Sequence, residues 1–411
     1  MPKRVVLYNF LIGLFLQLNS LSLLAQEEFM PAPAQSITKF NFIQLTGGII
    51  ILKAVLNDYP DSLNFVLDTG SGGISLDSAT VIELNLEKKP TNRLIRGIAG
   101  IRQVEFTYGH SLHMPGISIR NLDFHINDYE LLSSVYGMKI DGIIGYSVLR
   151  RYVFKINYDD HTIEILTPGS IRYPRGGYVL KPQFSTLPLP DGEVEDSRSI
   201  MQRFIFDTGA GLSLILSREF VEDSSVLLKN KRMYQTMAEG LGGKKNMVLT
   251  LIKSFKIGPY KFRQIPTYIF DDEYNVTQYP SLAGIIGNDM LRKFNIIINY
   301  PEQNIFLKPN THFNEPFDYA YSGLGIYLVQ GEIKVLEVMQ DSPAARAGFK
   351  EGDILFAVDR NFSKSIQVYK SMLQIPGQAL KVVVFREGRP VELKLLVHDI
   401  RKKYRRERKP A

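Results

Sequence analysis

Hydrophobic positions along this chain fall into short runs rather than long stripes. From Phe40 onward, Val, Ile, Phe and Tyr cluster between Gly, Pro, Asn and Asp, a pattern that predicts strands joined by turns. Helical periodicity is scarce before residue 340. Ahead of the first run, Q-E-E-F-M-P-A-P-A-Q-S-I-T-K (26–39) reads as a linker. A different pattern begins near Ala320. There S-G-L-G-I-Y-L (322–328) and I-K-V-L-E-V (333–338) predict two strands, and D-S-P-A-A-R-A-G-F-K-E-G-D-I-L (341–355) a small-residue helix and a strand. A further helix near 364–374 and a hairpin over 381–396 complete a separate α+β domain of about 80 residues.

The β-rich part contains itself twice. F-V-L-D-T-G-S-G-G-I-S-L (65–76) returns as F-I-F-D-T-G-A-G-L-S-L-I (204–215), and I-D-G-I-I-G-Y-S-V-L-R-R-Y-V-F-K-I-N-Y (140–158) as L-A-G-I-I-G-N-D-M-L-R-K-F-N-I-I-I-N-Y (282–300). Between these landmarks, R-G-I-A-G-I (96–101) matches E-G-L-G-G-K (239–244) in the same order. Offsets of 139 to 143 throughout mean a duplicated β unit. The expected organisation is a first lobe over 40–168, a second over 178–310 and the α+β domain over 320–399, with G-S-I-R-Y-P-R-G-G (169–177) joining the copies.

Composition narrows the chemistry. The chain has 411 residues, 45% apolar and 22% charged, enough for two or three domains with a sizeable core. It has no Cys, which excludes disulfides, thiolate metal sites and a cysteine nucleophile. The formal charge of +7 is misleading, because R-K-K-Y-R-R-E-R-K (401–409) supplies +6 and Lys3 with Arg4 another +2. The body between is near neutral and offers no basic face to nucleic acid. The tail, 400–411, is expected to be solvated, with contact to an acidic polymer or lipid as the alternative. Lys3 and Arg4 precede an apolar run and then Ala25, a signal-peptide layout over 1–25 that predicts export to the periplasm or secretion. The alternative is an uncleaved anchor, so any membrane contact is expected through this segment or the tail.

A single D-T-G after a strand is ordinary turn chemistry, an Asx turn with glycine supplying a positive φ. Two copies in a duplicated frame have another reading. Lobes related by a pseudo-twofold axis bring equivalent loops together on that axis. Asp68 and Asp207 then face each other, and two adjacent carboxylates share one proton because they cannot both ionise cheaply. The ionised member takes a proton from a water that attacks a carbonyl, and the protonated member donates to the carbonyl oxygen. Other chemistries lack support. His110 and His113 are three apart in a strand-like segment and face opposite sides. Ser75 and Ser213 lack a nucleophile elbow, and D-G-E-V-E-D (191–196) lacks calcium-loop spacing and reads as a solvated hairpin tip.

Over about 40–310 the sequence resembles the aspartic proteases. D-T-G-S, I-D-G-I-I-G and G-N-D-M-L-R-K-F look like the two-lobed pepsin type, while D-T-G-A, G-I-A-G-I and the short lobes look like retropepsins. The resemblance implies a mainly β fold with two retropepsin-like acid-protease lobes of β-barrel type in one chain, no cofactor and no metal. It implies that Asp68 and Asp207 are catalytic, that Thr69 and Thr208 grip across the axis, and that Gly70 and Gly209 admit backbone amides to the carboxylates. The elements ending at Gly145 and Gly287 would pack beneath. Gly97, Ile98, Ala99 and Gly100, and opposite them Gly240, Leu241 and Gly242, would be flaps over an extended substrate. Neither flap has the Tyr of pepsin-type flaps. Ser71 against Ala210 is the one difference beside the dyad, and the Ser71 hydroxyl is expected to favour an ionised Asp68 and a protonated Asp207.

S-G-L-G-I and S-P-A-A-R-A-G-F-K-E-G-D-I-L resemble PDZ domains of bacterial protease type. By that resemblance the loop of Gly323, Leu324, Gly325 and Ile326 would hold a peptide C-terminal carboxylate while the peptide adds as a strand. A PDZ fold that only braces the lobes or binds in cis is the alternative. The expected function is an exported aspartic endopeptidase acting on polypeptide substrates, with peptide C-termini at the PDZ domain and no nucleic acid partner. The rival expectations are a catalytically silent peptide-binding protein and a scaffold anchored by the tail.

Overall fold

A computed structural model describes residues 32–240, 242–277 and 281–402. The signal-peptide segment, residues 26–31 of the linker, most of the tail, and Leu241 lie outside these residues. The protein is mainly β. The first lobe is an eight-stranded sheet whose central order is Ile50–Leu56, Leu63–Leu67, Gly142–Ile144, Ile74–Asp77, Ile117–Asn127 and Gly100–Met114. It curls until Ile50–Leu56 also pairs with Gly100–Met114. The second lobe repeats this order with Ser199–Phe206, Gly284–Ile286, Leu214–Ser217, Tyr260–Phe270 and Gly243–Ile257, closed by Asp191–Glu195. Burial of Phe65, Leu67 and Phe124 in one lobe, and of Phe204, Phe206 and Phe255 in the other, fills a core that runs through both.

The duplicated segments meet across the axis in a third sheet of six strands shared by the lobes. Val153–Asn157 pairs antiparallel with Phe294–Asn299, and Lys155 faces Ile297. Those two positions are equivalent in the repeat, so the pseudo-twofold axis passes through this pair. The sheet's outer strand, Ser36–Asn41, starts inside the segment read as linker, because its backbone pairs with Thr162–Leu166. A second correction concerns 191–196. Asp191–Glu195 is a strand, not a solvated tip; it buries Val194 and pairs on both edges. Asp196 is buried in an ion pair with Lys231 at 2.9 Å.

The C-terminal α+β domain has a five-stranded sheet ordered Leu324–Val329, Glu332–Val338, Ile354–Val358, Ala379–Arg386 and Arg389–Leu396. Alternation is strict in Glu332–Val338, which turns Ile333, Val335 and Glu337 inward. Val335, Tyr369, Val382 and Leu395 form the domain's own core. Its edge strand Leu324–Val329 lies beside the helix Ile366–Leu373. This domain packs on the lobes, against the helix Glu130–Tyr136 and the hairpin Tyr234–Gly240/Gly243–Ile257. No helix among the described residues is long and apolar enough to cross a membrane.

Candidate active site

Each D-T-G sits where a buried strand ends against a short apolar strand. Leu63–Leu67 runs parallel to Gly142–Ile144, and the Asp68 amide donates to Ile144 O at 2.9 Å. In the second lobe Ser199–Phe206 runs parallel to Gly284–Ile286, and Asp207 N donates to Ile286 O at 3.0 Å. Gly145 and Gly287 lie beneath. A Cβ on Gly145 would stand 2.6 Å from Ser71 O, and one on Gly287 would collide with Leu212 O, so only glycine lets the loops close.

The threonines tie the loops to each other. Thr69 N donates to Thr208 Oγ1 at 3.1 Å and Thr208 N to Thr69 Oγ1 at 3.0 Å. Each hydroxyl then donates to the opposite lobe, Thr69 to Phe206 O at 2.6 Å and Thr208 to Leu67 O at 2.9 Å. Both residues are fully buried, so each bond replaces a group that would otherwise lack a partner. Four such bonds contribute roughly 0.5–1.5 kcal/mol each to holding the loops on the axis.

The two carboxylates are brought together there. Gly70 lies against Asp207, where an added Cβ would stand 2.5 Å from Cγ, and Gly209 lies as tightly against Asp68. Gly70 N donates to Asp68 Oδ1 at 2.7 Å; Gly209 N and Ala210 N donate to Asp207 Oδ1 at 2.7 and 3.1 Å. Burial and the adjacent Asp207 raise Asp68 well above the ordinary aspartate range. Burial also raises Asp207, but the hydrogen bond from Asp68 and the backbone amides pull it back down. Asp68 is therefore raised the further of the two, and the shared proton favours it. That direction is opposite to the one expected from Ser71. The Ser71 hydroxyl makes no hydrogen bond to Asp68 among the described residues; the Gly70 and Ser71 amides lower Asp68, while Asp207 is lowered by the equivalent Gly209 and Ala210 amides and by that of Gly70 as well.

Both glycine-rich tips sit at hairpin ends over the dyad. Gly97 and Gly100 pair across the first turn, with Ile98 and Ala99 at its apex; Gly240 and Gly243 pair across the second, beside Gly242. The tips touch. A Cβ on Gly100 would lie 3.4 Å from Gly242 Cα, one on Gly240 3.1 Å from Ile98 Cγ1, and Arg102 reaches Gly242 O at 3.5 Å. Beneath them is a cavity of about 970 Å³ lined by Asp68, Asp207, Ile98 and Gly240.

The sequence reading missed the wall on the other side. A cavity of about 420 Å³ that also contains Asp68 is lined by Leu131, Val135 and Tyr136 of the helix Glu130–Tyr136, and by Gln367, Lys370 and Gln374 of the C-terminal domain. Gln367 Nε2 donates to Tyr136 O at 2.9 Å and Lys370 Nζ to Val135 O at 2.7 Å, capping that helix. Gly137, at φ +68°, ends it, and a Cβ there would collide with the Ile366 side chain and lie 3.8 Å from Leu328 Cδ2, between edge strand and helix. The second flap is tied to the same domain through Glu239 to Tyr327, Lys244 to Glu337, and Tyr321 OH to Gln235 O at 2.7 Å. The loop of Gly323, Leu324, Gly325 and Ile326 is thus remote from the dyad in sequence yet close to the flap. Leu324, Gly325 and Ile326 share a cavity of about 210 Å³ with Thr236, Met237 and Glu239. Gln367 and Lys370 lie in a helix with an ordinary apolar pattern, so nothing local announced them.

Comparison with known families agrees with this geometry. Residues 52–148 and 191–290 match the aspartyl protease family model, and residues 334–387 match that of the PDZ domain. A search of curated proteins returned no match. The chain carries two aspartyl protease segments in tandem and a C-terminal PDZ domain, the make-up of a retropepsin-like aspartic protease with a PDZ module.

Proposed function

We propose that the protein is an active aspartic endopeptidase that is exported and cleaves polypeptides in the cleft between its lobes. The observation that carries the reading is the pair of aspartates, Asp68 and Asp207, each held up by burial and each seated by the glycine of the opposite loop. In the proposed reaction Asp207 takes a proton from a water held between the carboxylates, and the oxygen of that water bonds to the carbonyl carbon. Asp68 gives its proton to the carbonyl oxygen, forming a neutral gem-diol. The C–N bond then breaks as the amine leaves with the proton that Asp207 gained, and the other proton returns to the dyad. The flaps exclude bulk water while this happens. Export rests on the N-terminal sequence pattern alone, and peptide-terminus recognition on the PDZ resemblance.

The test is hydrolysis of an unfolded protein between pH 3 and 8. Asp68→Asn and Asp207→Asn are each expected to lower kcat by roughly 10²–10⁴-fold. Wild-type rates in both variants would overturn the reading, and binding without turnover in the wild type would favour a peptide-binding protein instead.

A further inference from the structure

The cleft is built from a duplicated unit, yet its charge is not duplicated. Arg93, Arg96, Arg150 and Arg151 all line the 970 Å³ cavity that holds both aspartates. Their partners are neutral. Arg96 donates to Asn275 O at 3.2 Å and Arg151 to Arg120 O and Asn121 O at 2.8 and 3.1 Å. The Arg93 guanidinium lies 4.9 Å over Phe106, and that of Arg150 lies 5.7 Å from the Tyr146 ring. None of the four pairs with a carboxylate among the described residues.

The second lobe supplies an internal control. Arg150 and Arg151 correspond to Arg292 and Lys293 at the same offset in the repeat. There Arg292 is neutralised by Asp289 at 3.1 Å and Glu315 at 3.2 Å, and Lys293 is buried on the backbone carbonyl of Glu315. On the flaps, Arg96 of the first corresponds to Glu239 of the second, which is itself taken up by Tyr327. The other ionisable groups lining this cavity, besides the dyad, are Asp123, which accepts from Gly109 N at 3.1 Å, His125, Tyr129, and Glu239 on the second-flap side. Burial holds His125 down to about 4, so it is neutral above mildly acidic pH.

We propose that the first-lobe end of the cleft is an acidic-residue subsite, in which Arg93, Arg96, Arg150 and Arg151 select polypeptides carrying Asp or Glu on one side of the scissile bond. Guanidinium is the group best matched to carboxylate, through paired N–H donors on a planar fork. Four of them, none paired with a carboxylate among the described residues, create a field at this end that draws in anionic chain and repels basic chain. The polarity also sets direction. A substrate enters with its acidic side toward the first lobe, because the matching position on the second flap is an acid.

This inference rests on the proposed peptidase reading and is tested apart from it. Cleavage sites in an unfolded protein are mapped by mass spectrometry, and peptides spanning them are made with Asp and Glu or with Asn and Gln. At low salt the wild type is expected to favour the acidic peptide by about tenfold in kcat/KM, mainly through KM, and 0.5 M salt should shrink the ratio. Arg150→Gln/Arg151→Gln and Arg93→Gln/Arg96→Gln should each move the ratio toward one. Arg150→Glu/Arg151→Glu should invert it in favour of a Lys-bearing peptide. Affinity of the same peptides for Asp207→Asn protein reads the preference without turnover, so a silent enzyme and an absent subsite give different results. Equal affinity for acidic and neutral peptides in that protein, or a ratio unchanged by the charge reversal, would overturn the inference.

Discussion

Asp68 and Asp207 are chemically identical side chains made different by two or three backbone amides. Amides of Gly70 and Ser71 lower Asp68, whereas those of Gly209, Ala210 and Gly70, with the hydrogen bond from Asp68, lower Asp207, so Asp207 is the less raised and the shared proton favours Asp68. The pH dependence follows with its sign. In the proposed reaction Asp207 must be ionised and Asp68 protonated, so activity is expected to rise as Asp207 loses its proton and to fall as Asp68 loses its own. Both groups are raised, so the active window lies above that of an ordinary carboxylate pair. Since the Ser71 hydroxyl makes no bond to Asp68, Ser71→Ala is expected to leave the acidic limb of the pH–kcat/KM profile in place, within about 0.3 units. A displaced limb would return the ionised role to Asp68. The sequence located both aspartates and their neighbours, but it could not rank them. Ranking needs the count of amides that actually reach each oxygen.

Among elements, the helix Glu130–Tyr136 and the PDZ helix Ile366–Leu373 matter most, because their contact turns two modules into one cleft. The first helix ends at Gly137 in the left-handed conformation, with the Ile366 side chain where a Cβ would be. Lys370 and Gln367 then satisfy carbonyls that its last turn leaves open. Gly137→Ala adds both backbone strain and a collision, and is expected to cost about 1–3 kcal/mol. The expected signature is faster amide exchange in 366–374 and in 130–136, measured by mass spectrometry, with the PDZ core strands unchanged. Equal exchange in variant and wild type would mean that the contact is not a structural constraint. The strands and hairpins of both lobes were legible from alternation and turn residues. The strand Ser36–Asn41 and the acidic strand Asp191–Glu195 were not, because polar composition hid partners that lie more than a hundred and about sixty residues away.

At the scale of the whole molecule, the segment between the second lobe and the PDZ domain holds Asp318 at the edge of the cavity below the PDZ loop. Burial raises Asp318 to about 7, against the pull of the Ala320 amide. A carboxyl whose pKa is higher folded than unfolded is bound to its proton more tightly by the native state. Its contribution is complete below the unfolded pKa of about 3.9 and is lost as pH rises toward 7. Asp318→Asn removes that dependence. The stability difference between variant and wild type should therefore shift toward the variant between pH 4 and 7, by up to about 1.4 kcal/mol per unit. Denaturant titrations across that range would show it, and a constant difference would refute it.

The sequence by itself determined the duplication, the two D-T-G loops, the flaps and the PDZ module, because each is a local pattern of turn glycines and apolar runs repeated at a fixed offset. The tertiary structure alone decided which aspartate is raised further, which cleft arginines meet no carboxylate among the described residues, and that a PDZ helix forms one wall of the cleft. Those outcomes depend on distances between residues far apart in the chain. A repeat predicts that equivalent positions exist, but only folding shows that Arg292 meets Asp289 and Glu315 while Arg150 meets an aromatic ring.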